Sequence, residues 1–195
     1  MKAIADVMPI KYNTVCKAVI GKDWKMDELI DIYDENRVLT GEVLPRKTKL
    51  PKGKYMLYVI ALIRNSEGRI LVTKRSLDKK WAPGSWEIPG GGAAKGETSF
   101  DAVKREVFEE TGIRITKEKS QIVYSYRNDD ESGDNYFTDI FVCDADFTVD
   151  DVKVQEREII DVKLVTFDEI DMLHEKDGFL HYDRIQKAMS EWNGR

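Results

Sequence analysis

The chain has 195 residues, 31 Lys and Arg against 36 Asp and Glu, and a formal net charge of −5 at pH 7. That length holds one domain with a real core, or one domain plus an appendage, and the negative balance gives no general attraction to nucleic acid or to an anionic membrane. Cys16 and Cys143 lie outside any C-x-x-C pair, and His174 and His181 are too few and badly spaced for a zinc site. No signal peptide is visible, and the longest apolar run, Tyr55 to Ile63, is too short to span a bilayer. A soluble, reduced, cytoplasmic protein is the expectation.

Residues 1–23 read as an N-terminal extension without assigned function, although Asn13 to Ile20 has the composition of a strand. Residues 24–195 are expected to form the domain. Glu28 to Asp34 and Val38 to Leu44, joined by a turn at Glu35-Asn36, predict a β-hairpin. Arg46 to Lys54 is a basic linker, read as a solvated loop or as a loop placed near phosphates. Tyr55 to Arg64 is nearly continuous β-branched and aromatic sequence, which predicts a central strand buried on both faces. Arg69 to Arg75 is its expected partner across the Asn65–Gly68 turn. Trp86-Glu87-Ile88-Pro89 then runs into Gly90-Gly91-Gly92, where glycines permit positive φ and close backbone approach to a metal or phosphate. Trp81 and Trp86 read as packing aromatics, with substrate stacking as the alternative.

Gly91 to Ile113 carries the densest chemistry. Thr98 and Asp101 resemble a capping box, Gly112 suits a helix C-terminus, and Phe100, Val103 and Val107 supply an apolar face. The helix between them places Glu106, Glu109 and Glu110 within roughly 100° of arc. Like charges at this spacing repel, so the helix needs compensation from Arg105 or from a divalent cation, which prefers such oxygen ligands.

After this helix, Ser120 to Arg127 and Asn135 to Ala145 predict two strands around an acidic turn, Asn128 to Asp134. Tyr124, Tyr126, Tyr136 and Phe137 are candidates for base stacking, and strand alternation allows only about half to face one site. Ile159 to Val165 predicts a further strand. Thr166 with Glu169 opens a short helix through Leu173, and Tyr182, Ile185, Met189 and Trp192 recur at helical spacing. The order of elements fits an α/β/α sandwich with a mixed sheet.

The stretch from Gly91 to Ile113 resembles the Nudix box, G-x5-E-x7-R-E-U-x-E-E-x-G-U with U aliphatic. Gly91, Glu97, Arg105, Glu106, Val107, Glu109, Glu110, Gly112 and Ile113 match every fixed position, and Trp86, Pro89, Gly90 and Gly91 match the W-x-x-P-G-G that precedes it. The resemblance implies a Nudix-type α/β/α sandwich and a metal-dependent hydrolase. Its substrate would be a nucleoside diphosphate linked to another moiety, split at the phosphoanhydride bond.

The resemblance also implies roles for residues. Glu106, Glu109, Glu110 and the Gly90 carbonyl would hold Mg²⁺, with Mn²⁺ as an alternative. Glu97 would bond the loop or a water, and Arg105 would orient the carboxylates. One of the acidic groups, or Glu156 or Glu158 ahead of the Ile159 strand, would be the general base. A homodimer is the family-level expectation, and the particular substrate stays open.

Two other classes compete. DIYDENRVLTGEV is similar to the N-terminal hairpin of the isopentenyl diphosphate isomerase-like branch. That chemistry relies on a cysteine and histidines near the box, however, and Gly53 to Tyr58 and Ser85 to Gly92 contain neither. The other class is a non-catalytic nucleotide sensor, which could dispense with the metal glutamates that are all present here.

Overall fold

A computed structural model describes residues 29–154 and 157–193. The N-terminal extension, its Asn13–Ile20 strand candidate, Cys16 and Glu156 lie outside the described residues.

The predicted hairpin forms from β1 (Leu29–Tyr33) and β2 (Leu39–Pro45), antiparallel with Ile30 opposite Leu44. Asp34 makes the turn by accepting the Asn36 and Val38 N–H groups, each at 2.9 Å. Ile30 and Ile32 are buried against Leu50 and Met56. Tyr33 and Tyr55 exchange backbone hydrogen bonds of 2.8 and 2.9 Å, which dock the hairpin on the main sheet.

The central strand is β3 (Met56–Arg64), followed by β4 (Ile70–Arg75), β5 (Trp86–Glu87) and β6 (Gly90–Gly92). The box helix is α1 (Ser99–Thr111). After it come β7 (Ser120–Asn128), β8 (Tyr136–Asp144), β9 (Ile159–Val165), α2 (Phe167–Asp177) and α3 (Tyr182–Asn193). Helix α2 runs past the expected end at Leu173, to a stop at Gly178. The main sheet is ordered β5-β4-β3-β8-β7, with β6 on β3 and β9 on β4. It is mixed, because β3 and β8 run parallel, from Met56 opposite Tyr136 to Arg64 opposite Asp144.

Side-chain alternation in β3 assigns the layers. Leu57, Val59, Ala61 and Ile63 pack with Ala102, Val103 and Val107 of α1. Ile60 and Leu62 pack with Ile170 of α2 and Ile185, Ala188 and Met189 of α3. The strand is apolar throughout because both faces are covered, and the architecture is the expected α/β/α sandwich.

The expected β3–β4 pairing is nearly absent. The two strands meet only at Arg64 and Ile70. The rest of that β3 edge belongs to β6, with Tyr58 opposite Gly92 and Ile60 opposite Gly90. Hydrogen bonds of 2.8 Å from Ala61 N–H to the Pro89 carbonyl and from Ala93 N–H to the Leu57 carbonyl extend the ladder. Gly90, Gly91 and Gly92 are therefore sheet, not turn.

Candidate active site

Helix α1 is held at both ends by the residues expected to do so. The Thr98 hydroxyl accepts the Asp101 N–H at 3.2 Å and the Asp101 carboxylate accepts the Thr98 N–H at 3.1 Å. Gly112 takes the left-handed conformation, φ 73°, and donates to the Phe108 carbonyl. Within these limits the buried positions are Ala102, Val103, Glu106, Val107 and Thr111. Glu106 therefore lies inside the buried stripe rather than beside it.

Space explains Gly91. It is not in a positive-φ conformation, contrary to the expectation for the glycine run. A Cβ on Gly91 would lie 2.4 Å from the Glu106 carboxylate, and one on Gly90 would lie 2.3 Å from the Val59 carbonyl oxygen. β6 is thus pressed against β3 on one side and against Glu106 on the other.

Arg105 organises the carboxylates. Its Nε and Nη2 donate to Glu97 at 2.7 and 2.9 Å, a two-point ion pair. Nη1 donates to Glu106 at 2.8 Å and to the exposed Glu109 at 3.3 Å, and Nη2 also reaches the Gly92 carbonyl. Glu97 accepts the Ala94 N–H at 2.8 Å as well. Burial alone would raise the Glu97 pKa, but the Arg105 pair and the Ala94 N–H outweigh it and hold the carboxyl below its usual value. At Glu106 the balance reverses, and burial raises its pKa in spite of Arg105.

Glu110 is the extreme case. Among the described residues, its carboxylate accepts one hydrogen bond, from the Gly90 N–H at 3.1 Å. Burial, then the charges of Glu87 and Glu106, push its carboxyl up to about 8. Among the described residues, no three carboxylate, histidine or cysteine groups are gathered closely enough to hold a metal ion as they stand. Arg105 draws Glu106 and Glu109 toward itself, and Glu110 bonds the loop. The donor set nevertheless fits a hard divalent cation. It is all oxygen, two of its carboxylates are enclosed, and it carries more negative charge than Arg105 neutralises.

The structure places Arg46, which the sequence offered only as part of a basic loop near phosphates, and adds Arg75, Glu87 and Tyr58, which sequence reading missed. Arg46, from the basic linker, donates to the Gly92 carbonyl and lies 4.0 Å from Glu106. Arg75 at the end of β4 holds both oxygens of Glu87 at 3.0 Å. Tyr58 feels the charges of Arg46, Glu106 and Arg75. The only sequence signal for these was a cation at the end of a strand and a glutamate inside W-x-x-P. Glu158 sits just before β9, 3.4 Å from Lys79, and its charge reaches both Glu87 and Glu110. Trp86 is core, 1 % exposed, whereas Trp81 is 61 % exposed with Arg75 over its ring.

Comparison with known proteins decides the family. The NUDIX domain family matches residues 54–186. The chain belongs to the Nudix family. An uncharacterised Nudix hydrolase of Listeria monocytogenes is 36% identical over 153 residues, which cover 78% of this chain and 88% of that one. The solved structure of the MutT protein of Methanosarcina mazei superposes with a TM-score of 0.55 at 28% identity, covering 74% of this chain and 98% of the other. An isopentenyl-diphosphate Delta-isomerase of Kocuria rhizophila is 31% identical over 124 residues, 61% of this chain and 68% of that one.

The chain is a Nudix hydrolase, of a family whose members are generally pyrophosphatases acting on nucleoside diphosphate derivatives. No helix among the described residues is long and apolar enough to cross a membrane.

Proposed function

We propose that this Nudix hydrolase uses a divalent cation, Mg²⁺ or Mn²⁺, to split the phosphoanhydride bond of a nucleoside diphosphate linked to another moiety. The observation that carries this reading is Glu110. It is a carboxylate enclosed beside two others, with a single backbone donor and a pKa raised to about 8. Glu106, Glu109, Glu110 and the Gly90 carbonyl would hold the cation. When bound, the cation supplies charge neutralisation at the diphosphate and Lewis acidity toward water.

The chain's own residues do the rest. Arg105, braced by Glu97, fixes the direction of the Glu106 carboxylate. Arg46 and Arg75 stand where the diphosphate charge would lie and neutralise what builds up as the bond breaks. A water oxygen attacks phosphorus, the bridging P–O bond breaks, and the proton passes to a carboxylate. Of the expected bases ahead of β9, Glu158 lies among the described residues, and the reach of its charge to Glu110 and Glu87 supports it in that role. The products are two phosphate-containing fragments, one of them the nucleoside monophosphate.

The test measures product release from a panel of nucleoside diphosphate derivatives with and without Mg²⁺, on wild type and Glu110→Gln. Mg²⁺-dependent turnover that falls at least tenfold in the variant is expected. Undiminished turnover in Glu110→Gln would sink the assignment. The same preparation is tested for isopentenyl-to-dimethylallyl conversion, since an isomerase is among the relatives. None is expected, because among the described residues Cys143 is fully buried on the α1 side of the sheet.

A further inference from the structure

Four tyrosines line one side of the sheet beyond the box. Strand register places Gly92 of β6, Tyr58 of β3, Thr138 of β8 and Tyr126 of β7 in one cross-strand row. Tyr136, two residues before Thr138, points to the same face. The Tyr58 and Tyr136 rings lie 5.5 Å apart, Tyr136 and Tyr126 are 6.4 Å apart edge to face, and Tyr124 stacks on Tyr126 at 5.9 Å. All four are half-buried. Helix α3 supplies Arg184, whose guanidinium carbon stands 4.5 Å from the centre of the Tyr126 ring. Phe137 points to the opposite face and packs on Tyr55 at 4.9 Å, so the structure divides the four aromatic candidates three to one.

We propose that Tyr58, Tyr136 and Tyr126, together with Arg184, form the subsite for the planar aromatic base of a nucleoside diphosphate substrate. This rests on the hydrolase reading above and names the part of the substrate that lies away from the carboxylates. The row starts at Gly92, whose carbonyl bonds Arg105 and Arg46. It runs one to three strand spacings, roughly 5 to 14 Å, away from it. A ribose joining a diphosphate to its base bridges that interval.

The chemistry of the row suits a base. Bases stack on phenol rings and on guanidinium planes, and the contact tolerates any base because each has a π-face. The buried hydroxyls of Thr138 and Tyr126 interact with each other, and neither makes a full-geometry hydrogen bond to another group among the described residues. The floor therefore offers polar atoms to a ring edge bearing nitrogen and oxygen. A prenyl chain would need a dry aliphatic wall. The aliphatic residues beside these rings, Leu50, Met56, Ile60 and Ile140, are at most 7 % exposed and already enclosed in the core, with half-buried Leu44 at the rim.

The experiment is calorimetric titration of the full chain with AMP and with ribose 5-phosphate, in EDTA and in Mg²⁺. Neither probe contains an anhydride, so the result is independent of turnover. AMP is expected to bind at least about tenfold more tightly than ribose 5-phosphate. Tyr136→Leu should abolish the difference and Tyr136→Phe should keep it. Arg184→Ala, an exposed change that leaves the core intact, should weaken AMP about threefold or more and leave ribose 5-phosphate alone.

Equal affinity for the two probes, or no AMP binding at millimolar concentration, would overturn the subsite. So would an AMP preference that survives both Tyr136→Leu and Arg184→Ala, or dimethylallyl diphosphate binding as tightly as ADP. A clear AMP preference in a protein that hydrolyses nothing would overturn the hydrolase reading and leave the subsite standing.

Discussion

Two carboxylates, the buried Asp139 and the half-buried Glu110, sit on the same side of one sheet and are treated in opposite ways. Asp139 of β8 accepts from both terminal nitrogens of the Arg37 guanidinium, and from the hydroxyls of Ser99 and Ser125 as well. Burial would raise its pKa, but those partners outweigh it and hold the carboxyl below the usual range. Glu110 has one backbone donor and two carboxylate neighbours, and its pKa is raised. Asp139 is a finished structural joint, tying together the hairpin turn, the start of α1, β7 and β8. Glu110 is held where its negative charge is penalised, a penalty that a bound cation would relieve.

That contrast is sharpest in paired substitutions. Glu110→Gln keeps the shape and removes a carboxyl whose ionisation the site penalises. Hydrolysis is expected to fall at least about tenfold, and up to about 100-fold, while the melting temperature holds or rises slightly. A melting temperature that falls along with activity would show that Glu110 is structural after all. Asp139→Ala does the reverse. It leaves Arg37 without its partner, although that side chain is 35% exposed and water offsets part of the loss. A destabilisation of about 2–3 kcal/mol is expected, or about 5–10 °C in Tm for a chain of this size. Its kcat at a temperature where it stays folded should be within about threefold of wild type. A Tm within a degree or two of wild type would remove Asp139 from its role as a joint.

The same contrast explains what could be read in advance. The α1 caps and the box carboxylates are neighbours in sequence, so their spacing carries their geometry. The run from Tyr55 to Arg64 announced a doubly covered strand by composition alone. Asp139 gave no such signal, because its partners come from positions 37, 99 and 125 and meet only through the β3–β8–β7 pairing. Arg75 and Glu87 stand twelve residues apart on adjoining strands. The insertion of β6 along β3 depends on a 2.3 Å exclusion at Gly90 that no local pattern encodes. Alternation predicted that the aromatics would divide, but strand register was needed to show that Phe137 stands apart.

Glycine substitutions separate crowding from backbone strain. Gly91→Ala puts a methyl group 2.4 Å from the Glu106 carboxylate, so the carboxylate or β6 must move. About a tenfold loss of hydrolysis is expected, recovered in part at high Mg²⁺. Gly96→Ala meets nothing within 4 Å but stands at φ 80°. It should cost about 1 kcal/mol of stability with little change in Mg²⁺ dependence. If the two variants shifted Mg²⁺ dependence equally, the close fit at Gly91 would have no part in the site.

The smallest effect is also the most specific to Asp139. Its carboxyl titrates lower in the folded chain than in the unfolded one, where an aspartate sits near about 3.9. The stabilisation from its charge is therefore fully present above that value and is lost as pH falls through the lower folded value. Asp139→Asn keeps the shape and removes the titration, so the Tm difference between wild type and this variant isolates the charge. The difference should be flat from pH 7 to 5 and begin to close only below about pH 4. A gap that closed above pH 5 would mean that the Arg37 and serine contacts do not outweigh burial. Asp139 would then be a strained carboxylate like Glu110, and the contrast between the two would fail.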